Sequence, residues 1–272
     1  MLYLNDRAVI SVSGSEAKSF LQGLTTNDVS KVERQIPLYA ALLTPQGKIL
    51  SEFLLGERDG AVLIDCWAPG SGALLKRLTM YRLRAKVDLH LRQDLAIAWF
   101  PEQLAAEDSF EDPRLPELGR RAMVSREPSA GDTDATAEYL SHRLRLGVPE
   151  GGDFGCDKMF ALDAGLEELH GVSFEKGCYV GQELTARMKH RGTARKRLLT
   201  ITATDGRDLP PPGTEIRAAG GTIGEIASAY GRQGFGLIRL DRWKESGATP
   251  ETDNCPLQIT VPDWLRIDTP HA

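Results

Sequence analysis

A cysteine between two glycines, directly ahead of a helical pattern, constrains this chain more than any other feature. It lies in the stretch Ser173–Gly192, which reads SFEKGCYVGQELTARMKHRG. Gly177 and Gly181 permit backbone angles and close approaches that a Cβ would forbid, so the sequence predicts a tight turn that presents Cys178. From Gln182 onward, the spacing of apolar and cationic residues predicts a short helix that begins directly after this turn.

The chemistry expected of the turn is that of an accessible thiol. A thiol near a helix N-terminus and near Lys176 should have a pKa below the usual value of about 8.5, because both neighbours favour the thiolate. The alternative is a buried cysteine that packs as a small apolar side chain. Glycines on both sides contribute little to a core, so we expect Cys178 to be accessible and functional.

The octapeptide KGCYVGQE, followed by TAR, closely resembles the signature of the YgfZ family. That family comprises bacterial folate-binding proteins related to the glycine-cleavage T-protein (aminomethyltransferase) and to a mitochondrial factor that helps assemble iron-sulfur clusters. The resemblance extends to VSGSEAKSFLQGLTTNDV, LYAALLTPQGKI, DPRLPELGRR and the glycine-rich C-terminal part, so it spans nearly the whole chain. It implies a GcvT-like α+β fold, with antiparallel sheets and helices around a central cavity and a small C-terminal β-barrel.

The resemblance also implies which residues carry the functional motif: Lys176, Gly177, Cys178, Tyr179, Gly181, Gln182, Glu183 and Arg187. Cys178 is the candidate catalytic residue, acting in transient thiol chemistry, in contact with a cluster or partner, or in a reaction with a one-carbon unit. The others are candidates for binding tetrahydrofolate. A carboxylate can accept two parallel N–H bonds, so Glu183 suits the pterin edge, while Tyr179 suits its face and nearby cations suit the glutamate tail.

One departure from the T-protein concerns the strand that follows the turn at residues 44–47. The resemblance implies an aspartate there that acts on the folate nitrogen during aminomethyl transfer, and ungapped matching brings this position to Ser51 or Glu52. The aspartate is therefore missing, and Glu52 is at best a longer substitute. This departure argues against glycine-cleavage chemistry and leaves a folate-dependent aminomethyltransferase that uses Glu52 as an alternative function.

Composition and charge narrow the class of protein. A chain of 272 residues is long enough for two or three packed units, and its net charge of −5 argues against a surface that binds nucleic acid throughout. Six cations between Arg187 and Arg197 keep an RNA-binding module as a third and least favoured function. A second basic run predicts a solvated helix face or a contact for an anionic ligand: Lys76, Arg77, Arg82, Arg84 and Lys86.

Cysteine spacing and hydropathy predict the compartment and exclude some site types. The four cysteines show no CxxC pair and no zinc-like spacing, so we expect neither a disulfide framework nor a stable metal or cluster held by this chain alone. No apolar run approaches the roughly 20 residues that span a bilayer, and the N-terminus lacks a basic start followed by a long apolar stretch. These features predict a cytoplasmic protein with no membrane partner.

Periodicity predicts the elements and the domain bounds. Helices are expected near 17–23, 73–83 and 138–146 and from Gln182, with Pro69–Gly72 as a break, a weakly structured connection at 101–136, and a hairpin turn at Gly220–Gly221. Residues 1–40 with 121–192 are expected to form a first α+β domain that carries the motif. Residues 41–120 are expected to form a second α+β domain, and 193–272 the barrel domain.

The function predicted from these residues and the resemblance is that of a folate-binding protein that assists assembly or repair of iron-sulfur clusters in client enzymes, including enzymes that modify transfer RNA. The expected cofactor is tetrahydrofolate. The expected partners are iron-sulfur client or assembly proteins, and direct contact with nucleic acid is not expected.

Overall fold

The computed structural model describes residues 1–33, 36–101, 108–126, 132–192 and 195–267. Within these ranges the strands are β1 (Leu2–Tyr3), β2 (Arg7–Ser13), β3 (Leu38–Leu43), β4 (Ile49–Arg58), β5 (Ala61–Trp67), β6 (Asp88–Arg92), β7 (Leu95–Phe100), β8 (Phe110–Glu111), β9 (Arg120–Ser125), β10 (Thr133–Asp134), β11 (Lys196–Ala203), β12 (Glu215–Ala218), β13 (Gly221–Tyr230), β14 (Gln233–Arg239), β15 (Glu251–Thr252) and β16 (Cys255–Thr260). The α-helices are α1 (Ala17–Gln22), α2 (Ala68–Arg82), α3 (Thr136–Leu146), α4 (Gln182–Arg191) and α5 (Leu240–Ser246).

The first sheet has the strand order β3-β4-β5-β2-β6, with all pairs antiparallel, and is buried on both faces over its centre. In β3, which reads LYAALL, Ala40 and Leu42 face a core formed with α1 and α2. Tyr39, Ala41 and Leu43 face a second core that includes residues of the other sheet, α3 and the barrel. A short continuous apolar run is what a strand with two buried faces requires.

The second sheet and the barrel complete the fold. The second sheet has the order β10-β1-β7-β9-β8 and is antiparallel except for the β1–β10 pair. The remaining strands close a barrel in the order β11-β14-β13-β12-β15-β16, filled by side chains such as Ile201, Ile216 and Ile238. Closure leaves no unpaired sheet edge in this region. The predicted α+β class and C-terminal barrel are confirmed.

Several predicted elements need correction. Helix α2 begins at Ala68 rather than after a break at Pro69–Gly72, because a proline in the first helical turn loses no hydrogen bond. The barrel hairpin turns at Ala219 and Gly220, one residue before the predicted pair, and both residues have positive φ as a tight two-residue turn requires. Helices α3 and α4 agree with prediction, and α4 begins at Gln182.

The connection at 101–136 is more ordered than predicted where it is described. It contributes β8, β9 and β10, while 102–107 and 127–131 lie outside the described residues. The predicted domain bounds stay a prediction. Strand β2, in the expected first domain, pairs with β5, in the expected second domain, so the first sheet spans the bound placed at residue 40. None of the described helices has both the length and the apolar character needed to cross a membrane.

A buried network of ion pairs joins the two sheets to α3 and the loop that follows it. Among the described residues it contains four arginines and five carboxylates: Arg7, Arg114, Arg121, Arg143, Glu52, Asp65, Asp112, Glu150 and Asp153. Glu150 is its centre, because Oε1 lies 2.9 Å from Arg7 Nη1 and 2.9 Å from Arg121 Nη2. Arg143 extends the network to the barrel, where Tyr230 donates its hydroxyl to Asp153 at 2.8 Å.

The pKa values of Glu150 and Glu52 shift in opposite directions. Burial alone would raise the pKa of Glu150, but the surrounding arginines outweigh it and hold that pKa well below its usual range. Burial raises the pKa of Glu52, with Arg7 opposing the shift and Glu150 adding to it. The two shifts differ because Glu150 lies close to all four arginines, whereas Glu52 forms an ion pair with Arg7 and is repelled by the Glu150 carboxylate.

We expect Glu150→Gln to lower the free energy of unfolding by about 3–5 kcal/mol at about pH 7, because it removes the negative charge that the buried guanidinium groups share. A depressed folded pKa gives stability that is present above the unfolded pKa near 4.5 and is lost as pH falls through the folded pKa. The deficit of the variant should therefore shrink on acidification. Urea denaturation at about pH 7 and about pH 4 measures both effects.

Glu52→Gln is the matched control. Glutamine resembles the protonated acid and keeps an acceptor for the Gly151 N–H, which lies 2.9 Å from Glu52 Oε1, so the change should be less than about 1 kcal/mol. Because the folded pKa of Glu52 is raised, its ionisation opposes folding as pH rises above about 4.5. The variant should therefore gain stability relative to the parent with rising pH. Equal losses in the two variants would contradict the central place of Glu150.

Candidate functional site

The turn around Cys178 is built on one glycine rather than two. Gly181 has φ +85°, and a Cβ there would lie 2.5 Å from the carbonyl oxygen of Thr44. It is the N-cap of α4 and packs against the β3–β4 hairpin turn. Gly177 has no positive φ and no atom within 4 Å of an added Cβ, so the predicted need for glycine holds only at Gly181.

Lys176 fixes the position of the turn through three hydrogen bonds to backbone carbonyls. Its Nζ donates to the carbonyl oxygens of Gln22 at 2.7 Å, Thr25 at 2.6 Å and Asn27 at 2.9 Å. These carbonyls belong to the end of α1 and the segment after it, so the ammonium ties the motif to the first core. Burial lowers the pKa of Lys176 to about 8, with Asp28 opposing the shift. The side chain is a structural clamp in this position.

The rest of the motif divides into buried and exposed side chains. Tyr179 is buried, and Lys176 Nζ lies 5.1 Å from its ring centroid, so one ring face is already covered. Glu183 is 90% exposed and lies 3.6 Å from Arg187 on the solvent side of α4, while Gln182 is half-buried. Cys178 is exposed, as predicted.

The four cysteines separate into two pairs by accessibility. Cys66 and Cys255 are buried, and burial raises the pKa of the Cys66 thiol to about 12. Cys156 and Cys178 are exposed, and all four thiols are free. Across the described ranges, no group of three or more histidine, cysteine, aspartate or glutamate side chains is arranged to hold a metal ion.

A cavity of about 310 Å³ lies between β4, the first half of α2 and the loop after α3. Its size falls at the lower end of the roughly 300–1,000 Å³ of small-molecule sites. Its lining is mainly apolar and includes Leu42, Ile49, Leu50, Ser51, Glu52, Trp67, Leu74, Arg77, Phe154 and Cys156. The exposed thiol that lines this cavity is Cys156, and Cys178 is not part of the lining.

Glu52 supplies the buried carboxylate of the cavity. Its side chain is 1% exposed, Oε1 accepts the Gly151 N–H, and Oε2 is buried without a hydrogen-bond partner. An unpartnered buried carboxylate oxygen is costly and suits a ligand with N–H groups. Ser51 and Glu52, the two positions matched to the T-protein aspartate, both line this cavity.

Trp67 forms an aromatic wall because two glycines leave room for it. A Cβ at Gly151 would lie 2.7 Å from Trp67 Cγ, and one at Gly152 would lie 3.2 Å from Cζ2. The indole therefore lies against the glycine backbone. The sequence signal for this wall is the density of glycine in GGDFGC, which ends in a cysteine.

The β3–β4 hairpin turn connects the cavity with the Cys178 turn. On one side it packs against Gly181 through Thr44 and Gly47. On the other side Lys48 Nζ donates to the Asp157 carbonyl at 3.2 Å, and Asp157 N–H donates to Ile49 at 2.9 Å. The loop that carries Cys156 and the turn that carries Cys178 are therefore held by the same hairpin.

The basic run from Arg187 to Arg197 is partly neutralised. Arg187 pairs with Glu183, Lys189 with Glu167, and Arg197 with Glu168. A polyanion would have to compete with these carboxylates. The arrangement weakens the hypothesis of an RNA-binding module.

Comparison with known proteins gives one family model and a set of full-length relatives. The model, described as the CAF17 C-terminal beta-barrel domain, matches residues 195–267. The chain is 33% identical over 304 residues to the protein named iron-sulfur cluster assembly factor IBA57, mitochondrial, of Homo sapiens, with 96% of this chain and 84% of that protein covered. The Mus musculus protein of the same name is 30% identical over 302 residues, with the same coverage of 96% and 84%.

Among solved structures, the chain resembles the glycine cleavage system aminomethyltransferase T from Bartonella henselae. The TM-score is 0.74 at 15% sequence identity, and 97% of this chain and 85% of that chain are covered. At this identity the likeness shows the fold alone, and it confirms the predicted GcvT-like architecture. The relatives are named as mitochondrial proteins, so the prediction of a cytoplasmic protein is wrong against this finding.

We expect Gly181→Ala to lower the free energy of unfolding by about 1–3 kcal/mol, because a positive φ and a collision with the Thr44 carbonyl both oppose a Cβ. Gly177→Ala on the other side of Cys178 is the control and should change stability by less than about 0.5 kcal/mol. Urea denaturation measures both variants. Similar losses at the two glycines would contradict the packing described for Gly181.

Proposed function

The chain belongs to the family of IBA57 iron-sulfur cluster assembly factors, and from this membership we propose that it assists the assembly or repair of iron-sulfur clusters in client proteins. The expected relationship to the YgfZ family holds as a wider relationship, and the IBA57 factors are the specific family. The partners implied by the proposal are iron-sulfur assembly or client proteins. The cluster is cargo in this proposal and is not a resident cofactor.

The single observation that carries the proposal is the exposed Cys178 on a clamped turn. Lys176 holds the turn through three backbone carbonyls, and Gly181 fits it against the β3–β4 hairpin. A thiolate is a strong ligand for iron, and one thiolate on a fixed turn can contact a cluster whose other ligands come from a partner. Cys178 would thus act in contact with a cluster or partner, one of the roles open to it in the sequence.

We also propose that tetrahydrofolate binds in the cavity beside Glu52. Two residues of the lining suit a pterin: Glu52 has one buried oxygen without a hydrogen-bond partner, and Trp67 offers an aromatic face. Arg77, on the exposed side of α2, suits the carboxylates of the tail. Tetrahydrofolate supplies one-carbon chemistry when bound, and this chain's residues bind and orient it.

Aminomethyl transfer by Glu52 has less support. The carboxylate that would replace the T-protein aspartate is drawn into the buried network through Arg7 and accepts the Gly151 N–H. A group held in this way is poorly placed to move a proton on a substrate nitrogen. Binding without this transfer is the function that we propose for the cavity.

Cys178→Ser should reduce the activity of cluster-dependent enzymes to the level of cells that lack the protein, because serine preserves the shape of the turn but is a poor iron ligand. Cys156→Ser, which removes the other exposed thiol, is the matched control and should leave those activities normal. The readouts are one cluster enzyme that modifies transfer RNA and one that does not, with the protein level checked by immunoblot.

Normal cluster enzymes in Cys178→Ser cells would contradict the assigned role of the thiol. If only the enzyme unrelated to transfer RNA lost activity, the predicted service to transfer-RNA-modifying clients would be wrong. Equal defects in the Cys156→Ser and Cys178→Ser cells would remove the distinction between the two thiols.

Calorimetric titration with tetrahydrofolate tests the cavity. Glu52→Gln should weaken binding by about tenfold or more, because an amide N–H replaces an acceptor opposite the ligand's N–H groups and about 1.5–3 kcal/mol is lost. Glu183→Gln is the comparison and should leave affinity unchanged, since that carboxylate is exposed on α4. Absence of binding to the parent protein would end the folate proposal, and weakening only by Glu183→Gln would move the site to the turn.

A further inference from the structure

The C-terminal end of α2 carries an exposed surface that plays no part in the site described above. We call it the α2 tip and define it by six residues: Lys76, Met80, Arg82, Leu83, Arg84 and Lys86. All six are exposed. The opposite face of the helix, with Leu74 and Leu78, is buried against the first sheet. The tip therefore lies on the part of the helix that is open to solvent or to a partner.

Two large apolar side chains project from the tip without internal contacts that bury them. Met80, in the last turn of α2, is 62% exposed, and Leu83, the residue that follows the helix, is 86% exposed. Leu83 also has φ +45°, a backbone conformation that favours glycine and is strained for a residue with a Cβ. A strained backbone that presents a leucine to solvent points to a binding role.

The cations of the tip are not neutralised by the part of the chain that the structure describes. Lys76, Arg82, Arg84 and Lys86 form no ion pair with any residue that the structure describes, unlike the paired cations of α4. Two acids adjoin the tip: Glu16, which accepts the backbone N–H of Lys86 at 2.5 Å, and Asp88, which lines the same shallow depression as Arg82 and Arg84. This local positive charge contrasts with the net charge of −5 of the whole chain.

The tip is fixed in shape. The Ala85 N–H donates to the Arg82 carbonyl at 2.8 Å, and the Glu16 carboxylate holds the backbone of Lys86. Gly14 packs so closely under this loop that a Cβ would collide with the Lys86 carbonyl. A preformed surface loses little conformational entropy when it binds.

We propose that the α2 tip docks an acidic protein segment, with Leu83 and Met80 in an apolar socket and the flanking cations paired with carboxylates of the partner. The guanidinium groups of Arg82 and Arg84 match carboxylates in geometry and charge. A helix that lies in a bilayer surface presents a continuous apolar face, whereas the apolar face of α2 is buried in the core. The inference does not depend on the iron-sulfur role, because its test measures binding alone.

The test uses the full chain and two synthetic amphipathic helical peptides of equal length. Both carry leucine on one face; the other face carries glutamate in one peptide and lysine in its control. Fluorescence anisotropy should detect binding of the glutamate peptide, weakening as salt is added, and no binding of the lysine peptide. The combined variant Arg82→Glu, Arg84→Glu, Lys86→Glu should weaken binding by about tenfold or more, and Leu83→Ser by about fivefold or more.

The matched control reverses three exposed cations on the barrel, Arg217→Glu, Arg232→Glu and Arg242→Glu, with the same change in net charge. It should leave the affinity for the glutamate peptide unchanged, and circular dichroism should show that all variants are folded. Equal weakening by the two triple variants would overturn the proposal. So would binding to vesicles that contain phosphatidylglycerol, or to single-stranded RNA, in the absence of binding to the glutamate peptide.

Discussion

The buried acceptor Glu150 is the interaction on which the rest of the structure depends. Its carboxylate receives guanidinium groups from both sheets and lies near a third from α3, so elements far apart in the chain share one charge. Buried ions are stable only when such partners satisfy them. The relative placement of the sheets, and with it the cavity between β4 and the loop after α3, therefore follows from electrostatics as well as from apolar packing.

The β3–β4 hairpin positions the two exposed thiols relative to these sheets. It is rooted in both cores, because its strands alternate between them, and its turn contacts Gly181 on one side and the loop of Cys156 on the other. A side chain on a rigid support is positioned more closely than one on a free loop. The Cys178 turn is thus a fixed part of the fold, clamped by Lys176 and seated by Gly181.

The sequence predicts the features that depend on local chemistry. The α+β class, the barrel, α3, α4 and the exposure of Cys178 all follow from periodicity, glycine placement and resemblance. The ion network could not be predicted, since its members are scattered from Arg7 to Asp153 and meet only in the folded chain. The inward direction of Lys176 was missed for the same reason: its acceptors are carbonyls at the end of α1, about 150 positions earlier.

A fold that resembles an aminomethyltransferase leaves the chemistry of the site to individual side chains. Of the two positions matched to the T-protein aspartate, Ser51 and Glu52, Glu52 reaches the buried network through Arg7. Its Oε2 is buried and has no hydrogen-bond partner, and the side chain is held by Arg7 and the Gly151 N–H, an arrangement poorly suited to proton transfer. The exposed thiol of Cys178 lies on the other side of the hairpin from the cavity loop, so the proposed contact with a cluster or partner and the proposed folate site occupy separate parts of the chain.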